Sequence, residues 1–116
     1  MPLELSASQA LGLWHGVALR QVRLDDRDLT LRQVAMLLHI YLVPPPHTVR
    51  GLAATLGVTK PVVTRALDTM GHMGLVDRVR DERDRRSVII KRTVAGALYL
   101  EKLGDLVMDQ GRKLPF

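Results

Sequence analysis

A mostly α chain carrying one small β-hairpin is the fold the sequence predicts, on three observations. Apolar residues recur at three- and four-residue spacing in several separate stretches, which is helical periodicity. Two short β-branched runs, 75–80 and 87–92, flank six consecutive charged residues, Asp81-Glu82-Arg83-Asp84-Arg85-Arg86, too polar for a core, which is how a hairpin with a charged tip reads. The 116 residues, 47% of them hydrophobic, are enough for one domain with its own core, and they contain no repeat or low-complexity segment.

The elements follow in order. Residues 7–24 form a helix with Ala10/Leu11, Trp14, Val17/Ala18 and Val22 on one stripe, capped by Ser6 or Ser8. The polar run Asp25-Asp26-Arg27-Asp28 breaks it. Thr30 caps a second helix, with Gln33 three residues on completing a capping box. Its apolar positions are Val34, Leu37, Leu38 and Tyr41, and Pro44-Pro45-Pro46 ends it. Thr48 caps a short helix with Leu52, Ala53 and Leu56 inward, and Gly57 stops it. Thr59 caps the next helix, whose first turn tolerates Pro61; its face is Val62, Val63, Ala66, Leu67 and Met70, with Gly71 and Gly74 at its end. After the hairpin, Thr93 caps a long helix with Ala97, Leu98, Leu100, Leu103, Leu106 and Val107 apolar.

Two helices joined by a tight turn and followed by a hairpin make a winged helix-turn-helix. Ala53 is small where the second helix crosses the first, Gly57 supplies the positive φ of the turn, and Val63 anchors the second helix. With Leu52, Leu56, Val58 and Ala66 inward, the outward positions of that helix are Thr59, Lys60, Pro61, Thr64 and Arg65. The N-terminal part of such a helix is what reaches base edges in a DNA major groove. Arg65 and Lys60 suit guanine edges or phosphates, Thr64 a base edge or phosphate, and Pro61 apolar contact alone. At the hairpin tip, Arg83, Arg85 and Arg86 suit the focused negative potential of a narrow minor groove. Asp81, Glu82 and Asp84 beside them are expected to pair with the arginines.

Charge agrees with this placement. The formal net charge is +5, and residues 1–46 and 93–116 each balance, so the whole excess lies in 47–92, with ten basic residues against five acidic. A basic segment between two neutral ones is the footprint of a polyanion partner.

The same residues resemble the MarR family of bacterial winged-helix regulators. The matching run is Leu52-Ala53, Leu56-Gly57-Val58-Thr59, Val63-Thr64-Arg65, Asp68, Met70, Gly74-Leu75-Val76, Arg80-Asp81, Asp84-Arg85-Arg86, Thr93 and Gly96, with Leu29-Thr30-Leu31-Arg32-Gln33 similar to the opening of the preceding helix. It spans about residues 29–97. The resemblance implies a dimer on a near-palindromic operator, with Thr59, Lys60, Pro61, Thr64 and Arg65 in the major groove and Arg83, Arg85 and Arg86 on the wing. It places a DNA-binding core at 29–92 within one domain, 1–116. The family usually has leucine where Arg92 stands and an acidic residue where Gly71 stands; a glycine inside a helix costs about 1 kcal/mol against alanine, so at Gly71 the recognition helix is expected to end early or bend. The apolar stripes of 7–24 and 93–114 need a partner surface, which points to dimerisation through them.

Other chemistries lack a pattern. The chain has no cysteine, which excludes disulfides, thiolate metal sites and a thiol nucleophile. His15, His39, His47 and His72 form no metal-ligand pair, no serine sits in a nucleophile motif, and no glycine-rich phosphate loop occurs. No enzyme activity and no cofactor are expected. Trp14, Tyr41 and Tyr99 can line an effector pocket but suit a core better, and four aromatics in all (Phe116 is the fourth) are too few to stack single-stranded nucleic acid. Without an apolar run long enough to span a bilayer or a secretory leader, a cytoplasmic protein is expected. The functional reading is a sequence-specific double-stranded DNA-binding transcriptional regulator; the alternative is a winged-helix protein-interaction module without DNA binding.

Overall fold

A computed structural model describes residues 4–114. The elements run α1 (Ala7–Leu24), α2 (Leu31–Leu42), β1 (His47–Thr48), α3 (Val49–Leu56), α4 (Lys60–His72), β2 (Val76–Arg80), β3 (Val88–Arg92) and α5 (Val94–Gly111). They divide into two compact units, one of Leu29–Tyr99 and one made of the segments before Leu29 and after Tyr99.

The Leu29–Tyr99 unit holds α2, the three strands, α3, α4 and the first turns of α5. Its core is Met36, Leu37, Ile40, Leu52, Val63, Leu67, Met70 and Leu75, all fully buried. On α2 the buried set is Met36, Leu37 and Ile40, whereas Val34, Leu38 and Tyr41, expected inward, are half-buried. The helix is apolar on nearly every side, so periodicity leaves its inward face open and packing selects it. Thr30 and Gln33 form the expected capping box. Thr48 accepts the Gly51 N–H at 3.0 Å, which caps α3.

The turn between α3 and α4 rests on Gly57, whose φ of 68° is the left-handed conformation that only glycine adopts without cost. Thr59 occupies the N-cap position of α4, but its side chain makes no cap hydrogen bond, contrary to the capping expected. Gly71 does not shorten the helix: α4 continues to His72, and the left-handed residue that redirects the chain is Gly74, with φ 75°.

The hairpin belongs to a three-stranded antiparallel sheet of order β1-β3-β2. β1 was not expected; its two residues pair as His47↔Ile90 and Thr48↔Ile89. A strand that short has no alternation to read and exists only because β3 lies beside it. β2 and β3 pair from Val76↔Arg92 to Arg80↔Val88. Only Val76 and Ile90 of the hairpin are buried, so the root is anchored and the rest projects. At the tip, the Asp81 and Asp84 carboxylates accept the backbone N–H groups of Arg83 and Arg86 at 2.9 and 3.1 Å. Asp81 and Asp84 therefore mainly cap the loop backbone; among the described tip pairs, Asp84–Arg86 at 3.4 Å is the ion pair.

In the other unit, Ser6 caps α1 and forms a capping box with Gln9. Val17 on α1 and Leu106 and Gln110 on α5 are buried. The two helices approach closely at Gly16, where a Cβ would overlap the Gln110 side chain, and Arg20 pairs with Asp109 at 3.5 Å. On the α1 stripe Leu11, Trp14 and Val22 are exposed, as are Leu24 at the end of α1 and Val107 and Met108 of α5.

After α1, Asp25 pairs with Arg27 at 2.7 Å. Hydrogen bonds from the Arg27 side chain hold the Asp25 carboxyl below its ordinary value, against a desolvation cost. A folded-state value below the unfolded one adds stability that is complete above the ordinary carboxylate range and is lost as pH falls through the lowered value. Asp25→Asn is therefore expected to lower stability at pH 7 by about 0.5–1 kcal/mol. Urea melts should show that deficit vanish in acid; a deficit that persists below pH 2 would contradict this account.

Candidate nucleic-acid interface

The sequence places cations where helix electrostatics disfavours them. Each helix of the Leu29–Tyr99 unit that precedes the hairpin lacks an acidic residue in its first turn. Arg32, Arg50 and Lys60 stand there instead, at the positive end of the macrodipole. Such placement costs stability unless an anion is meant to approach. All three side chains are exposed.

Thr59, Lys60, Pro61, Thr64 and Arg65 are all exposed along one edge of α4, while Val63, Ala66 and Leu67 on the opposite edge are buried. The 3.6-residue period produces this split once Val63 is fixed inward. Arg83, Arg85 and Arg86 are exposed at the tip of the hairpin.

Two grooves flank the exposed edge of α4. One, of about 250 Å³, is lined by Arg50 from α3, Lys60 and Thr64 from α4, and Arg86 and Ser87 from the hairpin. The other, of about 230 Å³, is lined by Thr30 and Arg32 at the start of α2 and by Arg65 and Thr69 of α4. Five cations thus converge on the two sides of one short helix. Arg83 and Arg85 line neither groove; the Arg85 carbonyl accepts a hydrogen bond from the Arg80 guanidinium.

The α4 edge is braced from the hairpin side. Arg78 of β2 pairs with Asp68 of α4 at 2.7 Å. His72 bonds through Nδ1 to the Asp68 carbonyl at 2.7 Å. The first of these contacts ties α4 to the middle of β2, and the second lies within α4 itself.

Sequence reasoning missed Arg32 and Arg50. The available signal was a basic residue one position into a helix that a threonine had just capped, which the dipole makes unfavourable in a purely structural residue. Among the described residues no group of three His, Asp or Glu could hold a metal, and no helix is long and apolar enough to cross a membrane. Of the aromatics, Tyr99 is buried, the Tyr41 hydroxyl is engaged by backbone groups, and Trp14 is exposed; none of the three lines either groove.

Solved structures share this fold. Transcriptional regulator Tm0710 from Thermotoga maritima matches with 25% identity over 90% of this chain and 71% of its own, at a TM-score of 0.76. The S. aureus MepR–DNA complex matches with 23% identity over 86% of this chain and 79% of that one, at 0.74. MarR itself matches with 24% identity over 94% and 79%, at 0.69. The model of the MarR family matches residues 27–87, more than half of the sequence and the whole stretch from α2 to the wing tip. The chain belongs to the MarR family of non-enzymatic, DNA-binding transcription regulators.

Proposed function

We propose that the chain acts as a homodimer on a near-palindromic operator, with 29–92 as the DNA-binding core and 7–24 and 93–114 as the dimerising helices. In this reading the start of α4 enters the major groove of each half-site. Arg65, Lys60 and Thr64 contact base edges or phosphates, Thr59 offers a hydroxyl left out of the helix cap, and Pro61 gives apolar contact. Arg83, Arg85 and Arg86 reach the neighbouring minor groove. Arg32 and Arg50 hold the phosphates that border the major groove. The observation that carries the reading is the pair of cationic grooves on the two sides of the exposed α4 edge. The open stripe of Leu11, Trp14 and Val22 supports dimerisation, since a patch of that kind on a small protein calls for a partner. A cytoplasmic location goes with a chromosomal target.

The decisive experiment is duplex binding at two salt concentrations. Arg32, Arg50, Lys60 and Arg65 in each of two copies supply about eight phosphate contacts, so raising salt from 50 to 200 mM should weaken binding on the order of 10⁴-fold. Saturation should occur at two chains per operator. Salt-independent binding, or none, would refute the proposal.

A further inference from the structure

The wing projects, so something must fix its root. β2 begins just after Leu75, and β3 ends just before Thr93. The Tyr41 hydroxyl lies between these two ends. It donates toward the Leu75 carbonyl at 2.8 Å, with the Thr93 carbonyl at 3.1 Å, and it accepts the Thr93 N–H at 2.9 Å. Arg92, the last residue of β3, reaches the other way. Its guanidinium donates to the carbonyls of Ile40 and Val43, both at 2.9 Å, and its Cζ lies 5.9 Å from the centre of the Tyr41 ring. Those carbonyls are among the ones a helix C-terminus leaves without partners, and a cation there suits the dipole. The Val43 carbonyl also takes the Nε2–H of buried His47 at 2.9 Å, from β1. Both ends of the wing are thus locked onto the end of α2.

We infer that Tyr41 and Arg92 are positioning residues for DNA binding: they fix the wing root to the end of α2 and so set where Arg83, Arg85 and Arg86 fall. Lever length makes this consequential. Each strand has five residues, which at about 3.3 Å apiece puts the tip about 16 Å from the root, and a turn of about 10° there moves the tip about 3 Å. That displacement exceeds the tolerance of a charge-assisted hydrogen bond. Burial does little to correct it, because beyond Val76 and Ile90 the hairpin has no buried side chain, and its other ties, the two-residue β1 pairing at Ile89 and Ile90 and the solvent-screened Arg78–Asp68 pair, lie in the strands short of the tip. The inference rests on the wing being the second DNA contact, as proposed above.

The test has two arms. In the first, a duplex selected by the wild-type chain from a random-sequence pool is titrated with Tyr41→Phe, Arg92→Leu, a tip variant lacking Arg83, Arg85 and Arg86 through alanine substitution, and the combinations. Tyr41→Phe and Arg92→Leu should each weaken binding about fivefold or more with the tip present, and by less than about twofold with it absent. An equal loss in both backgrounds, or no loss in either, overturns the inference. The second arm needs no DNA. The chain has no cysteine, so Glu82→Cys at the tip and Ala54→Cys on α3, both exposed, accept spin labels cleanly, and labelled chains diluted into unlabelled ones report the distance within one copy. Tyr41→Phe should shift or broaden that distance by about 3 Å, the lever-arm displacement. An unchanged distribution overturns the lock even if the DNA-binding reading stands, and a wild-type chain that binds no duplex overturns that reading while this arm still judges the lock.

Discussion

Arg65→Ala and Arg86→Ala are each expected to weaken operator binding by about 1–3 kcal/mol while leaving the melting temperature unchanged. Both side chains are exposed and make no contact the fold depends on: Arg86 is 94% exposed and its pairing with Asp84 spans 3.4 Å. An exposed pair of that kind contributes about 0–1 kcal/mol. The two residues line different grooves, Arg65 with Arg32 and Arg86 with Arg50 and Lys60. Their effects should therefore add, as they do at sites without shared partners. Lysine separates the two roles open to Arg65. If it neutralises a phosphate, Arg65→Lys retains most of the affinity; if it reads a guanine edge in bidentate fashion, lysine loses sequence preference as well. Gel-shift affinities unchanged in both alanine variants would remove the assigned interface.

Gly96→Ala should cost about 3 kcal/mol or more, the range of overpacking in a site that cannot relax. Helix propensity alone has the opposite sign, since alanine in a helix is favoured over glycine by about 1 kcal/mol. Space decides. A Cβ on Gly96 would overlap the Tyr41 hydroxyl and the Leu75 carbonyl. Neither neighbour can withdraw cheaply, because the hydroxyl is bonded to Leu75 and Thr93, and the carbonyl belongs to the backbone at the wing root. Thr93 adds to the constraint by capping α5 through the Gly96 N–H at 3.0 Å while donating to the Gly74 carbonyl at 2.7 Å. Thermal melts should show a fall of roughly 10 °C or more. A variant as stable as the parent would mean that the junction yields more easily than its hydrogen bonds imply.

Local chemistry was sufficient for much of this molecule. Helical stripes, caps at Thr30, Thr48 and Thr93, the left-handed turn at Gly57 and the charged hairpin are each set by residues within a few positions of one another, so they can be read along the chain. The outward edge of α4 was legible for the same reason: with Val63 inward, helical geometry sends Lys60, Thr64 and Arg65 the other way. What could not be read depends on partners distant in sequence. The inward face of α2 was settled by which side met the rest of its unit. The strand at His47–Thr48 needs β3, more than forty residues away, to exist at all. The grooves joining Arg50 to Arg86 and Arg32 to Arg65 form only when separate helices are brought side by side. Gly96 looks like an ordinary break in a helical pattern until Tyr41 is placed against it. Periodicity and capping report the conformation of one segment; which side chains converge is decided by the packing between segments, and that information is spread over the whole chain.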